Sequence, residues 1–431
     1  MWLPESDLPR VVIVGAGFGG INLAKRLRHA PCRVLLVDAN NFHQFQPLLY
    51  QVATCGLEPD SIIFPLRKLF DNQDNISIRM GLVESVDTEA KRIQTTVGYA
   101  DYDVLVLATG STTNFFGSEE LESRCIGMKD IRESLDIRSM MLQNLETAAN
   151  TADPAERDAL TNFVVVGGGP AGVETVGALA EFKRYILADD YPELPSDLMN
   201  LYLVQSGGAL LKGMSEKAQR AAKRDLENMD VEIVFETRVK GYDGCKVTTN
   251  TDRVLNSRAV IWTAGVKGTL PEGIDSEQLT RGNRLEVDAF NRVRGMEDVF
   301  AIGDVASQVS SEWEHGLPGV APVAIQQGRH LAKNLVRRWA GEDMRAFMYV
   351  DKGSLATIGK KRAVADLGKI KLTGWIAWVI WSVVHVLSLI GFKNKVWVFL
   401  SWMISYINSD KGNRFIIRKY TDVHDPTTAV K

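Results

Sequence analysis

Two glycine-rich strings carry the chemistry of this 431-residue chain, VVIVGAGFGG at residues 11–20 and FVVVGGGPAGVE at residues 163–174. In each, a β-branched run predicts a buried parallel strand, and glycines at G-x-G-x-x-G spacing then open a helix. Gly15 and Gly167 allow the tight turn, Gly17 and Gly169 let the backbone approach a pyrophosphate, and Gly20 and Gly172 let helix lie against strand. The phosphates then meet the unpaired N–H groups at the positive end of the helix. One such string is weak evidence, because glycine-rich turns arise by chance. Two of them, 152 residues apart, are strong. A chain that holds two dinucleotides at once is built to move electrons between them.

The surrounding elements are those that such sites require. CRVLLVDANN (32–41) reads as a second strand ending in Asp38, which lies 18 residues after Gly20, where an acid holds ribose hydroxyls. FHQFQPLLYQVATCGL (42–57) is an irregular aromatic, glutamine-rich stretch suited to cover a flat ring system, with core packing as the alternative. YDVLVLATGS (102–111) and RAVIWTAGVKG (258–268) are matching buried strands running into glycine turns, one for each dinucleotide unit. RVRGMEDVFAIGDVA (292–306) places a strand before Gly303 and Asp304. Asp304 is expected at a helix start, where it caps N–H groups or accepts a sugar-like hydroxyl.

Composition narrows the class. A net charge of −3 predicts no nucleic-acid partner. The four cysteines, Cys32, Cys55, Cys125 and Cys245, are scattered, with no C-x-x-C and no metal-ligand spacing. They predict no metal site and fit a reducing compartment. The N-terminal MWLPESDLPR lacks a basic segment followed by an apolar one, so no cleaved export signal is expected. From residue 368 onward, nine Lys and Arg stand against three Asp, a net +6 that leaves −9 for the rest. The same stretch holds five of the nine Trp. A basic, Trp-rich, apolar end on an acidic body suggests a membrane-facing surface.

The order of first fingerprint, ATG, second fingerprint, TAG and GD resembles the two-dinucleotide-binding-domain flavoproteins, in which an FAD domain is interrupted by an inserted NAD(P)H domain. The segments APVAIQQGRH (321–330) and DKGSLATIGKKRAVADLG (351–368), with the tail from residue 374, extend the resemblance to type II NADH dehydrogenase over nearly the whole chain. The fold implied is α/β, with two Rossmann-like dinucleotide-binding domains, the second inserted in the first, plus a C-terminal membrane-associating helical segment. The implied layout is an FAD-binding domain over 1–118 and 283–345, an NAD(P)H-binding domain over 119–282, and a quinone and membrane-anchoring region over 346–431.

By this resemblance, FAD contacts Gly15, Ala16, Gly17, Phe18, Gly19 and Gly20 on the first loop and Asp38 and Ala39 at the second strand. Val83, Ala108, Gly110 and Asp304 follow, with the Ala321–Pro322 turn. NADH, or NADPH, lies on Gly167, Gly169, Pro170, Ala171 and Gly172, closed over by Ala264 and Gly265. Glu174, expected in the first turn of its helix, either complements the helix dipole or orients the nicotinamide and assists proton movement. Gln326 and Gln327 resemble the quinone-side glutamines, although related chains often carry glutamine where this one has Pro322. Gln205 stands where NADH-specific sites carry Asp or Glu. An amide neither holds the ribose hydroxyls nor repels a 2′-phosphate as a carboxylate does, so the NADH preference is expected to loosen.

The stretch 372–392 is apolar enough for one span of about 20 residues. Residues 396–407 are too short to return, at ~1.5 Å per residue. Five Trp with Lys393, Lys395, Lys411 and Arg414 favour helices lying in the interface. The expected protein is thus a monotopic enzyme of the cytoplasmic membrane face, passing a hydride from NAD(P)H to FAD and two electrons to membrane quinone without pumping protons. A homodimer is open. The rivals are a sulfide:quinone oxidoreductase-like enzyme, which needs cysteines by the flavin, and a flavin-bearing NAD(P)H redox sensor.

Overall fold

The computed structural model describes residues 6–408, 412–416 and 419–420, without the side chains of 196 and 405–408. Apolar runs that lack polar alternation fold as central strands buried on both faces of parallel sheets, and the chain makes two of these. The first sheet orders the strands Val299–Ala301, Val104–Leu107, Arg10–Val14, Arg33–Asp38 and Ile76–Met80, parallel throughout. The second orders Ile126–Gly127, Ala259–Trp262, Phe163–Val166, Leu201–Val204 and Val231–Val234, again parallel. In both, the fingerprint strand is central, and its glycine loop leaves the carboxyl edge where the strand order reverses. That is where dinucleotides bind open α/β sheets.

The chain divides into two compact units, Met1–Gln44 with Ile63–Thr112 and Val266–Asp351, and Phe45–Ile62 with Thr113–Gly265 and Lys352–Lys431. The first unit resumes at Val266, earlier than the expected residue 283. The reason is packing: Leu270, Ile274 and Leu279 join the core built on Val12, Leu35, Leu105 and Leu285. The C-terminal region groups with the second unit. Its antiparallel strands Ser354–Thr357, Ala363–Leu367 and Ile370–Gly374 meet the helix Pro170–Phe182 at Gly177, where a Cβ would lie 2.9 Å from the Gly359 nitrogen.

The stretch 42–57 forms the strand Phe42–Gln44, a single turn Gln46–Leu48 and the helix Leu49–Ala53. Phe45, Leu48, Leu49 and Val52 are buried, so these side chains pack into core. The apolar stretch 372–392 is not one helix. Its first residues end the strand Ile370–Gly374, and the helix Trp375–Ser388 stops before a second helix, Phe392–Asn408. These are 14 and 17 residues long, and no described helix is long and apolar enough to cross a membrane.

Candidate dinucleotide and electron-transfer sites

The first glycine loop is held from both sides. Gly15 has φ +103°, and a Cβ there would lie 2.3 Å from the Ala108 carbonyl oxygen. One at Gly20 would sit 1.9 Å from that of Gly15. Those glycines are needed by the protein itself. Gly17 is different, because a Cβ there meets nothing within 4 Å, the open cradle into which a pyrophosphate fits. Phe18 starts the helix Phe18–Leu27, and Gly19 faces the side chain of Ile302.

Asp38 closes the second strand. Its Oδ2 accepts from the Ala16 N–H at 2.6 Å and its Oδ1 from Asn40 N–H at 2.7 Å. Burial raises its pKa against those two bonds. Ala39 beside it is exposed, and Val83 opens a buried edge of the meander Val83–Asp87, Arg92–Thr95 and Gly98–Asp101. Ala108 donates its N–H to Val14, and Gly110 turns away at φ +74°.

Asp304 differs from expectation. It lies in one 3-10 turn, Gly303–Val305, that runs straight into the strand Ala306–Gln308 and starts no longer helix. Its Oδ2 accepts from Ser111 Oγ at 2.6 Å, and the half-buried Arg284 donates to its backbone oxygen at 3.1 Å. The long helix starts later, with Ala321 and Pro322 as the first residues of Ala321–Trp339. From it, Gln327 accepts the Gly303 N–H at 2.8 Å. Gln326 spends its amide on the backbone of Val350, donating at 2.9 Å and accepting at 3.0 Å. No motif marks His43, a buried imidazole beside the same loop. Its Nδ1 donates to the Ala16 carbonyl at 3.0 Å, and burial pulls its pKa down to about 4.

The second loop repeats the first. Gly167 has φ +114° and would press a Cβ to 2.7 Å from the Ala264 Cα, Gly172 would meet the Gly167 oxygen, and Gly169 again faces open space. Pro170 and Ala171 begin the helix. Gly265 lies under Phe116, an exposed ring at φ +55° that sequence reasoning passed over.

Glu174 is the fifth residue of the helix Pro170–Phe182 and lies one step beyond its first turn, which weakens any dipole role. It is 8% exposed. Its Oε1 accepts the Thr357 N–H at 3.2 Å. Burial pushes its pKa up to about 8, against the pull of that N–H and of the Trp381 indole. A bonded chain leads outward: Thr357 Oγ1 to Tyr50 Oη at 3.0 Å, Tyr50 to the Gln51 amide at 2.9 Å, and Gln51 Oε1 to the Trp402 indole N–H at 2.8 Å. Tyr50, Gln51, Trp381 and Trp402 line one cavity with Glu181 and Lys360.

The folded Glu174 holds its proton more tightly than the unfolded chain, whose carboxyl titrates near 4.5. Its stabilising contribution is therefore complete below pH 4.5 and is lost as pH rises toward 8. Glu174→Gln is expected to flatten that limb of a Tm-against-pH curve and to raise Tm at pH 9. An unchanged slope would mean that the carboxyl is not the buried acid described.

Residues 9–328 match the pyridine nucleotide-disulphide oxidoreductase family, and residues 352–409 match the NDH2 C-terminal domain. A type II NADH:quinone oxidoreductase of Mycobacterium tuberculosis is 34% identical over 426 residues, 94% of this chain and 89% of that one. This chain belongs to the type II NADH dehydrogenases. Among solved structures, NDH2 of Plasmodium falciparum with NADH shares the fold at a TM-score of 0.85, with 20% identity over 95% of this chain and all of that one. The sulfide:quinone oxidoreductase of Aquifex aeolicus reaches 0.69, with 18% identity over 88% and 90% of the two chains, a likeness of fold alone.

Proposed function

We propose that this type II NADH dehydrogenase is a non-proton-pumping NAD(P)H:quinone oxidoreductase that holds FAD on the first unit and the nicotinamide nucleotide on the second. The observation that carries this is the pair of equivalent cradles, each open at one glycine, Gly17 and Gly169. FAD supplies the acceptor for hydride and the donor of two electrons to quinone. Asp38 and the Ser111–Asp304 pair would fix its sugar-like chains. Gln327, with its Oε1 engaged by Gly303, would offer its Nε2 to the flavin and quinone side, whereas the Gln326 amide serves the backbone of Val350. Glu174, protonated near neutral pH, would orient the nicotinamide and hold a proton for delivery during quinone reduction.

The short helices Trp375–Ser388 and Phe392–Asn408 would lie on the cytoplasmic face of a bilayer as a monotopic anchor. Their outer sides expose Trp375, Leu387, Phe392, Trp397 and Phe399, with Lys393 and Lys395 alongside. Lys411 lies outside the described residues. Arg414 is paired with Asp190 at 2.6 Å, which takes it out of the count of lipid-facing charges. Light scattering of the detergent-solubilised protein distinguishes a monomer from a homodimer.

A sulfide oxidase would need cysteines beside the flavin. Cys32, Cys55 and Cys125 are buried, and the second cradle would then have no task. Anaerobic titration of the purified flavoprotein with NADH, followed by quinone, is the test. Full bleaching of the flavin by about one equivalent of NADH and its recolouring by quinone are expected. Bleaching by sulfide but not NADH would reverse the reading, and failure of quinone to recolour the flavin would leave a redox sensor.

A further inference from the structure

The two units can be compared strand end by strand end, because their backbone bonding is equivalent. Gly15 donates to Val37 as Gly167 donates to Val204, both at 2.8 Å. The next loop N–H donates to the side chain at the end of the second strand, Ala16 to Asp38 and Gly168 to Gln205 Oε1 at 2.9 Å. Gln205 thus does the loop-holding work of Asp38. Its Nε2 donates to its own loop, to the Ala209 oxygen at 3.1 Å, and it brings no negative charge.

The units part company at the next strand. In the first, Asp38 pairs with Met80, and Gly81 donates to the Asp38 oxygen. In the second, the register Val204 to Val234 puts Phe235 opposite Gln205, yet the N–H that reaches the Gln205 oxygen is that of Thr237, at 3.1 Å. Glu236 is therefore an extra residue in the turn that follows the strand. It sits at φ +53°, a left-handed conformation that costs a non-glycine residue free energy and tends to mark functional sites. Its N–H turns to the Gly207 oxygen at 3.3 Å. A Cβ on Gly208 would be 3.8 Å from Glu236 Oε1, and one on Gly207 would be 3.4 Å from Gln205 Nε2. The glycine pair is flanked by the amide on one side and the carboxylate on the other. Glu236 is exposed and has no ion-pair partner among the described residues.

We propose that Glu236 is the nucleotide-selecting residue of this enzyme, placing in the turn just past the edge strand Val231–Val234 the carboxylate that Gln205 lacks. A carboxylate at the edge of the ribose loop accepts ribose hydroxyls and repels a 2′-phosphate. The protein then prefers NADH despite its neutral Gln205, contrary to what Gln205 alone implies. The proposal rests on the second unit being the nicotinamide-nucleotide site.

The test measures NAD+ and NADP+ binding to the FAD-loaded protein by calorimetry, with anaerobic flavin reduction by NADH and NADPH beside it. Wild type is expected to favour NAD+. Glu236→Gln should lower that preference by at least about tenfold, and Glu236→Arg should lower it further, with flavin content and Tm held. Glu232→Gln is the control, since Glu232 is an exposed carboxylate on the strand Val231–Val234, just before Glu236, and is paired with Arg253 at 2.6 Å. It should leave the preference unchanged. An unchanged ratio in both Glu236 variants while both nucleotides bind, or an equal shift in Glu232→Gln, overturns the proposal. Wild type that binds neither nucleotide overturns the underlying site with it.

Discussion

Gly17→Val is expected to give a folded protein without flavin, and Gly169→Val a yellow protein that NADH no longer bleaches. Both follow from which glycines the chain needs for itself. Gly17 and Gly169 have φ of −72° and −76°, conformations open to any residue, and a Cβ on either meets no protein atom within 4 Å. The added isopropyl group therefore costs the fold little and fills the space where a pyrophosphate must touch backbone. Gly15, Gly20, Gly167 and Gly172 would make poor probes, because their Cβ atoms collide with carbonyl oxygens or backbone and the fold itself would suffer. Flavin absorbance per protein, Tm and NADH-dependent bleaching of both variants decide the matter. A Gly17→Val protein that keeps stoichiometric FAD would show that the first loop is not its phosphate cradle.

The same distinction explains what the chain reveals before it folds. Glycine loops are legible because strand, turn and helix follow one another locally, and their chemistry depends on spacing that a string preserves. The identity of the two sheets was legible for the same reason: runs such as VVIV and FVVV have no exposed side to encode. Asp304 was harder. GD after a strand reads equally as a helix cap or as a turn, and only the strand Ala306–Gln308, paired to Arg284–Val287, decides for the turn.

What sequence could not show is contact across long separation. Glu174 announces a position near the second loop, but its pKa is raised by burial and opposed by Thr357 and Trp381, 183 and 207 residues further on. Gln326 and Gln327 look alike as neighbours, yet one bonds the backbone of Val350 and the other Gly303. Glu236 was invisible because an extra residue past a strand's end is defined only against the strand beside it. The apolar stretch 372–392 differs from the helix that forms in where it begins and ends. Hydropathy continued through Leu372 and Thr373, residues that pairing with Ala365 and Val364 holds in a strand.

That tail sets the other large effect. Replacing Leu387, Phe392 and Phe399 together with Glu is expected to leave flavin reduction by NADH unchanged while abolishing binding to anionic vesicles. These side chains are exposed, Phe392 to 83%, so their loss removes little internal packing. Val398 and Trp381 are buried and are left alone, as is Trp402, whose indole binds Gln51. At roughly 1.5 kcal/mol for each apolar side chain kept from lipid, the three amount to ~4.5 kcal/mol, or about a thousandfold in partition. Repulsion between the added carboxylates and anionic headgroups acts in the same direction. High salt should release the wild type only in part, because it screens the lysines and leaves apolar burial intact. Turnover with a long-tailed quinone in liposomes should then fall by at least about tenfold, while a short-tailed, water-soluble quinone is reduced nearly as fast as before. Stopped-flow flavin bleaching, vesicle co-sedimentation and the two quinone assays separate anchoring from chemistry. If the triple variant still binds vesicles and reduces the lipid-embedded quinone at the wild-type rate, these two helices are not the membrane-docking surface.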